Sequence, residues 1–279
     1  MNTPPYSEPV YESEPTPRSV PVQIQPVRPR VTYILLAVTV FVYILQELTR
    51  IGIAREPFIA LSQLIFGDEL LQALLRNGWG EDILVLLGGK ITPLIEIGQV
   101  WRLFTPALLH ASLVHIAFNM YALFVIGPSL ESFYGHWRFL ALYVLGAFGG
   151  NVLSFYLSAG TSVGASTAIF AMVAAQGVFL YQNRQILGPR ARAMLSNVIF
   201  IIVINLFLGL SPGIDNWGHM GGLITGLAFA WFAGPQLSVN YTGFGYQLTD
   251  QRSMTAVWST GILLALALAV MTAIKVINA

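Results

Sequence analysis

The chain contains no cysteine in 279 residues, and only 10% of its side chains are charged. The missing thiols exclude disulfides, thiolate metal sites and a cysteine nucleophile, and leave the redox compartment open. The scarcity of charge bears on class. Soluble domains carry about a quarter charged residues, whereas 55% of this chain is hydrophobic. A soluble fold of this size has too little interior for that much apolar surface, because surface-to-volume scaling limits burial. Basic and acidic residues nearly cancel, at a net charge of +1, so nothing points to nucleic acid as a partner. With four histidines and no cysteine, a closed zinc site lacks ligands. No metal or other cofactor is expected.

What the chain has instead is a succession of long apolar runs. A bilayer core needs about 20 apolar residues per helical span. Spans are expected over residues 31–48, 112–133, 139–157, 166–181, 195–210, 217–232 and 256–277. The fold class is therefore an all-α polytopic membrane protein, with the lipid bilayer as its solvent. Residues 1–30, rich in Pro, Ser, Glu and Val, read as a disordered tail, because such a segment cannot bury enough apolar surface to offset its ordering entropy. No small-residue cleavage site follows the first apolar run, so a cleaved signal peptide is not expected. The long connection 49–111 contains two apolar pieces, 58–66 and 83–87, too short to span. Pieces of that length lie in the interface or against other helices. The organisation read from the sequence is a tail over 1–30, a membrane domain over 31–233, and a linker with one added helix over 234–279.

Orientation follows from the basic residues of the short loops. With the tail cytoplasmic, Arg18, Arg28, Arg30, Arg138, Arg184, Arg190, Arg192 and Arg252 all lie inside, and the short outer loops 161–165 and 211–216 carry no basic residue. The long connection carries Arg50, Arg55, Arg76, Lys90 and Arg102, but long segments obey the rule poorly. The N-terminus is expected inside and the C-terminus outside.

In that orientation the second, fourth and sixth spans all enter from the outer side. Ser166 heads the fourth, His219 lies near the start of the sixth, and His115 and Asn119 lie one turn apart near the start of the second. Polar groups from three helices thus share one depth, where such groups are costly and usually face a water-filled interior. A serine hydroxyl becomes a nucleophile when a histidine accepts its proton, and acyl transfer needs donors aimed at the developing oxyanion. His115 and Asn119 project from one helical face and offer two such donors; the Ser166 amide offers a third. Asp215, one turn before His219, is the only carboxylate near enough to orient it, and reads instead as a solvated loop residue. Gly222 and Gly226, with Gly218 a turn above, form a small-residue face on the sixth span. Ala171 and Ala175 form another on the fourth. Such faces let helices approach closely in lipid. Phe170, one turn below Ser166, would then pack on the His219 imidazole.

These residues, in this order, resemble the rhomboid family of intramembrane serine proteases. The matching positions are Trp101-Arg102, His110, His115-x-x-x-Asn119, Glu131, Gly164-Ala165-Ser166 and Gly218-His219-x-x-Gly222-x-x-x-Gly226. The resemblance covers about residues 31–231. It implies a six-helix core followed by a seventh helix, with a Ser166–His219 dyad that needs no acid. It also implies an oxyanion site made from His115, Asn119 and the Ser166 amide, with Gly164 letting the preceding loop bend around substrate. The implied substrates are transmembrane helices of client membrane proteins, with small residues near the cleavage point and helix-weakening Gly or Pro within the span. The fifth span and the loop at Ser211-Pro212-Gly213 would be the moving gate. Two positions depart from the common pattern. Thr167 follows the serine where many relatives have Gly, and would narrow the site, while Phe170 stands where many have Tyr.

The remaining polar residues have plainer readings. His110 is expected to stabilise the loop or assist water near the site, and His136 to be interfacial. Trp101 and Arg102 read as an aromatic anchor and a basic group at the headgroup level. Glu131 is expected to pair with Arg138 or cap a neighbouring helix, too far from Ser166 to act as an acid. Two other functions fit the class. A non-catalytic membrane-helix binding protein would lack Ser166 or His219, and both are present. A transporter using the polar residues as a pathway predicts internal repeats, which the sequence does not show.

Overall fold

The computed structural model describes residues 27–53, 55–57, 59–60, 82–241, 243 and 245–279. The tail over 1–26 and most of the apolar piece at 58–66 lie outside the described residues. Helix α1 covers Val31–Arg50. The first connection then contributes the short helices α2, Ile83–Leu86, and α3, Thr92–Glu96, and two 3-10 turns, Val100–Leu103 and Thr105–Leu108. Helices α4, Leu113–Tyr134, and α5, His136–Leu157, form an antiparallel pair. They are followed by α6, Ser166–Gln182, the short α7, Arg184–Leu187, and α8, Pro189–Leu208. The chain ends with α9, Asn216–Ala233, a two-stranded hairpin of β1, Leu237–Tyr241, and β2, Tyr246–Asp250, and α10, Met254–Ile277.

Local chemistry sets these boundaries. Ser112 caps α4 by accepting from the His115 amide at 3.2 Å, and Asp215 and Ser253 cap α9 and α10 in the same way. Gly135, at φ +74°, makes the sharp break between α4 and α5 that a residue with a Cβ resists. Proline at the first position of α8 starts that helix at Pro189, earlier than the apolar run alone suggests. Helices α1, α4, α5, α8 and α10 are each long and apolar enough to cross a bilayer, and the chain is an integral multi-pass membrane protein. Helices α6 and α9, at 17 and 18 residues, are shorter.

Helices α5, α6 and α9 form the centre. Ala168, Ala171, Met172 and Ala175 of α6 are fully enclosed, as are Phe139, Leu142 and Val152 of α5 and Phe229 of α9. Glycine makes this possible. A Cβ on Gly222 would meet the Thr167 backbone carbon at 2.9 Å, and one on Gly226 the Ala171 carbon at 2.7 Å. These are backbone-to-backbone approaches of α9 on α6. Helix α5 contributes its own ridge, Gly146, Gly149 and Gly150, packed on Ala168, Thr225 and Thr167. Without a strong hydrophobic drive between helices in lipid, such close packing is what holds them together. Helices α1, α8 and α10 surround the centre and turn apolar side chains such as Phe41, Phe200 and Leu263 outward.

Several polar readings are corrected. Arg102, expected as a basic group at the headgroup level, is buried. Its Nη1 donates to the carbonyls of Val85 at 2.8 Å and Gly89 at 2.9 Å, and its Nε to Gln99 Oε1 at 2.6 Å. It is the pin that folds the first connection. Of the two readings of Glu131, pairing with Arg138 or capping a neighbouring helix, the structure shows the cap. Its carboxylate accepts from the amides of Arg30, Val31 and Thr32 and from the Thr32 hydroxyl, capping α1. His136 Nδ1 joins it at 2.6 Å, in hydrogen-bond contact across the break between α4 and α5. Arg138 instead pairs with Asp250 at 2.8 Å, fixing the hairpin that the sequence presents only as a linker.

Candidate active site

Ser166 is the first residue of α6, and His219 lies in the first turn of α9. The α6–α9 approach described above brings them together: His219 Nε2 is 3.0 Å from Ser166 Oγ. The geometry suits a hydrogen bond from the hydroxyl to the imidazole, with the ring proton on Nδ1. His219 Nδ1 is buried and has no hydrogen-bond partner among the described residues. Its ring is held instead by Phe170, stacked at 4.4 Å between centroids and 17° between planes. Asp215 is not a solvated third member. Its carboxylate caps α9 through the Gly218 amide at 3.0 Å and accepts from Ser154 Oγ at 2.5 Å. Among the described residues, then, no acid accepts a hydrogen bond from His219 Nδ1.

The loop before Ser166 is bound on three sides. Gly164 adopts φ +127°, its amide donates to the Pro106 carbonyl at 2.8 Å, and the Ala165 amide approaches His110 Nε2 at 3.4 Å. His110 is fully enclosed; burial, with His115 beside it, pushes its pKa down to about 3. It is thus a neutral acceptor behind the loop. A Cβ on Gly164 would lie 2.8 Å from His115 Nε2 and 3.6 Å from Ser166 Oγ. Glycine is required there twice, by the backbone angle and by the His115 ring. The Ala111 amide faces His115 Nδ1 at 3.4 Å, which leaves Nε2 to carry the proton toward the serine side. Asn119 is buried one turn below, its Nδ2 donating to the His115 carbonyl at 3.1 Å and keeping a second N–H. The amide of Ser166, first in its helix, has no intrahelical acceptor.

Thr167 does not narrow this site. Its side chain is buried away from it, against Gly150 of α5 and Gly218 of α9. Residue reading also missed Lys90, fully enclosed in the first connection. Its Nζ donates to the carbonyls of Ser158 at 2.6 Å and Gly160 at 2.9 Å, and its backbone pairs with Ser162 in both directions. Burial pushes the Lys90 ammonium down to about 8, opposed by Asp215 and reinforced by Lys275. No sequence signal marks a lone lysine for this role. The glycines of α5 were missed as well, although their clustering as Gly146-Ala147-Phe148-Gly149-Gly150 is a signal of close helix packing that could have found them.

The fold and the site define a helical membrane protein with a serine and a histidine from two closely packed helices at hydrogen-bond distance. Comparison with known proteins takes this one step further. Residues 97–236, half of the chain, match the Rhomboid domain. The chain is 39% identical over 193 residues to Rhomboid protease GluP of Bacillus subtilis, covering 68% of this chain and 36% of that protein. It is 40% identical over 149 residues to RHOMBOID-like protein 1 of Arabidopsis thaliana, covering 52% and 38%. With Rhomboid-like protease 1 of Toxoplasma gondii it shares 35% over 162 residues, covering 56% and 55%. The chain belongs to the rhomboid family. It spans between about a third and a little over half of the length of these relatives.

Proposed function

We propose that this protein is an intramembrane serine endopeptidase that cuts transmembrane segments of client membrane proteins with Ser166 and His219. The observation that carries the reading is the 3.0 Å contact between His219 Nε2 and Ser166 Oγ. Ser166 Oγ attacks the scissile carbonyl carbon while its proton passes to His219 Nε2. The carbonyl oxygen becomes an oxyanion, for which His115 Nε2–H, the free Asn119 N–H and the Ser166 amide are the donors. Collapse of the tetrahedral adduct breaks the C–N bond, and the imidazolium gives its proton to the leaving amine. Water, deprotonated by His219, then hydrolyses the ester at Ser166 and frees the carboxylate product.

Two features fit a reaction inside the bilayer. A 17-residue helix rises about 26 Å, less than the roughly 30 Å hydrocarbon core, so Ser166 at its head is recessed from the outer surface. Helix α8 buries only Ala191 and Val198, as few residues as α10, so it is loosely tied to the centre and suits the role of a gate for a client helix. The Arg distribution supports a cytoplasmic N-terminus and a C-terminus on the outer side.

The test is labelling of the purified protein by a fluorescent fluorophosphonate, with Ser166→Ala and His219→Ala alongside. Labelling of the wild type that both substitutions abolish is the expected result. Equal labelling of all three would put the reactive serine elsewhere. No labelling of a folded wild type would favour a membrane-helix binding protein without protease activity.

A further inference from the structure

We propose that Lys275, on the helix that follows the rhomboid domain, is a positioning residue for the Ser166–His219 pair, acting through the C-terminal end of α5. This inference rests on the dyad reading above and assigns a task to α10.

The end of α5 is an unusual meeting point. A helix C-terminus presents carbonyls with no intrahelical partner and the negative end of the helix dipole. Here two ammonium groups from distant parts of the chain cover it. Lys275 Nζ donates to the Phe155 carbonyl and lies over the Phe155 and Tyr156 rings, at 4.3 and 5.2 Å from their centroids. Lys90 Nζ takes the carbonyls of Ser158 and Gly160, just beyond. Tyr156 completes the clamp by donating its hydroxyl to the Met271 carbonyl of α10 at 2.6 Å.

Both members of the pair hang from this end. On one side Ser154, adjacent to Phe155, donates to Asp215 Oδ2, and Asp215 Oδ1 caps the turn of α9 that carries His219. On the other side the segment after Ser158, tied to Lys90 through Ser162, leads into Gly164 and Ser166. A shift of the α5 end therefore moves the two reacting atoms along separate paths. Lys90 sits in the field of both Asp215, which favours its charge, and Lys275, which opposes it. A displacement well under 1 Å between reacting groups is enough to slow acyl transfer about tenfold. None of these groups belongs to the Ser166, His219, His115 and Asn119 cluster itself, so the effect is expected on turnover and not on binding.

The test uses the full chain in proteoliposomes, with a model transmembrane client and with fluorophosphonate labelling, which reads the pair without a client. Lys275→Met keeps the aliphatic stem and removes the ammonium. The expected result is a fall of about tenfold in both kcat and labelling rate, with KM unchanged, and recovery in Lys275→Arg. Tyr156→Phe loosens the same clamp without altering charge; it gives a smaller fall in the same direction and carries the test if Lys275→Met does not fold. Combining Lys275→Met with Ser154→Ala is expected to be no worse than the stronger single variant, because both act on one path. Wild-type labelling and kcat in Lys275→Met would overturn the inference, as would losses in Lys275→Met and Ser154→Ala that multiply. If the wild type itself fails to label, the dyad reading falls and not only this one.

Discussion

The distance between Ser166 and His219 is set by how closely α6 and α9 pack, and Gly222 is where that can be measured. Gly222 lies one turn after His219, and its partner on α6 is the backbone of Thr167, next to Ser166. A Cβ there would stand 2.9 Å from the Thr167 carbon and 3.2 Å from its Cα, and closer still to its carbonyl oxygen, where ordinary contact begins at 3.4 Å. Backbone cannot turn aside as a long side chain can, so Gly222→Ala must part the helices by about an ångström. The 3.0 Å contact then opens to roughly 4 Å, beyond hydrogen-bond range. Overpacking of this kind costs about 1–3 kcal/mol of stability, and misplacing the reacting groups by about an ångström costs on the order of 10²-fold in rate. The assay is client cleavage in proteoliposomes alongside thermal unfolding of the same sample. The control is Gly261→Ala on α10, whose Cβ would make only an ordinary 3.7 Å contact with Phe229, and whose stability is expected within about 0.5 kcal/mol of wild type. A folded Gly222→Ala protein that cleaves at the wild-type rate would refute the idea that backbone contact between α6 and α9 sets the dyad.

Removing the ring stacked on His219 by Phe170→Ala is expected to slow fluorophosphonate labelling about two- to tenfold through loss of roughly 0.5–1.5 kcal/mol of aromatic contact. Phe170→Tyr keeps the ring and should label as wild type; equal labelling of the alanine variant would mean the imidazole is held otherwise. Burial and the neighbouring His115 hold His110 at about 3, below its ordinary 6.5. The unfolded chain therefore binds more protons between those values. The contribution is complete above pH 6.5 and declines as pH falls toward 3, by at most about 1.4 kcal/mol per pH unit. Melting temperatures at pH 7.5, 5 and 4 should fall more steeply for wild type than for His110→Gln, and parallel curves would contradict the assignment. Glu131→Gln replaces an acceptor of three amides with a group that also donates, and is expected to cost about 2–4 kcal/mol. Hydrogen exchange at the start of α1 reads it; unchanged protection at residues 31–34 would show that the cap is dispensable.

Composition and hydropathy sufficed for the class of molecule, because a bilayer imposes a length and an apolarity that no soluble helix needs. The residues of the candidate site were also legible: Ser166, His219, His115, Asn119 and Phe170 because polar residues at membrane depth are few and small-residue faces mark where helices meet, and Gly164 only through the family resemblance. Tertiary structure decided what local pattern does not encode. Glu131 found the amides of α1, about a hundred positions away, and left Arg138 to Asp250. Arg102, read as a headgroup anchor, became the buried pin of the first connection. Thr167, beside the serine in sequence, points into the α5 ridge because a helix turns each successive side chain by about 100°. Lys90 and Lys275 converge on the end of α5 from opposite ends of the chain. Such long-range partners depend on where whole helices come to rest, and periodicity and spacing report only on neighbours within a turn or two.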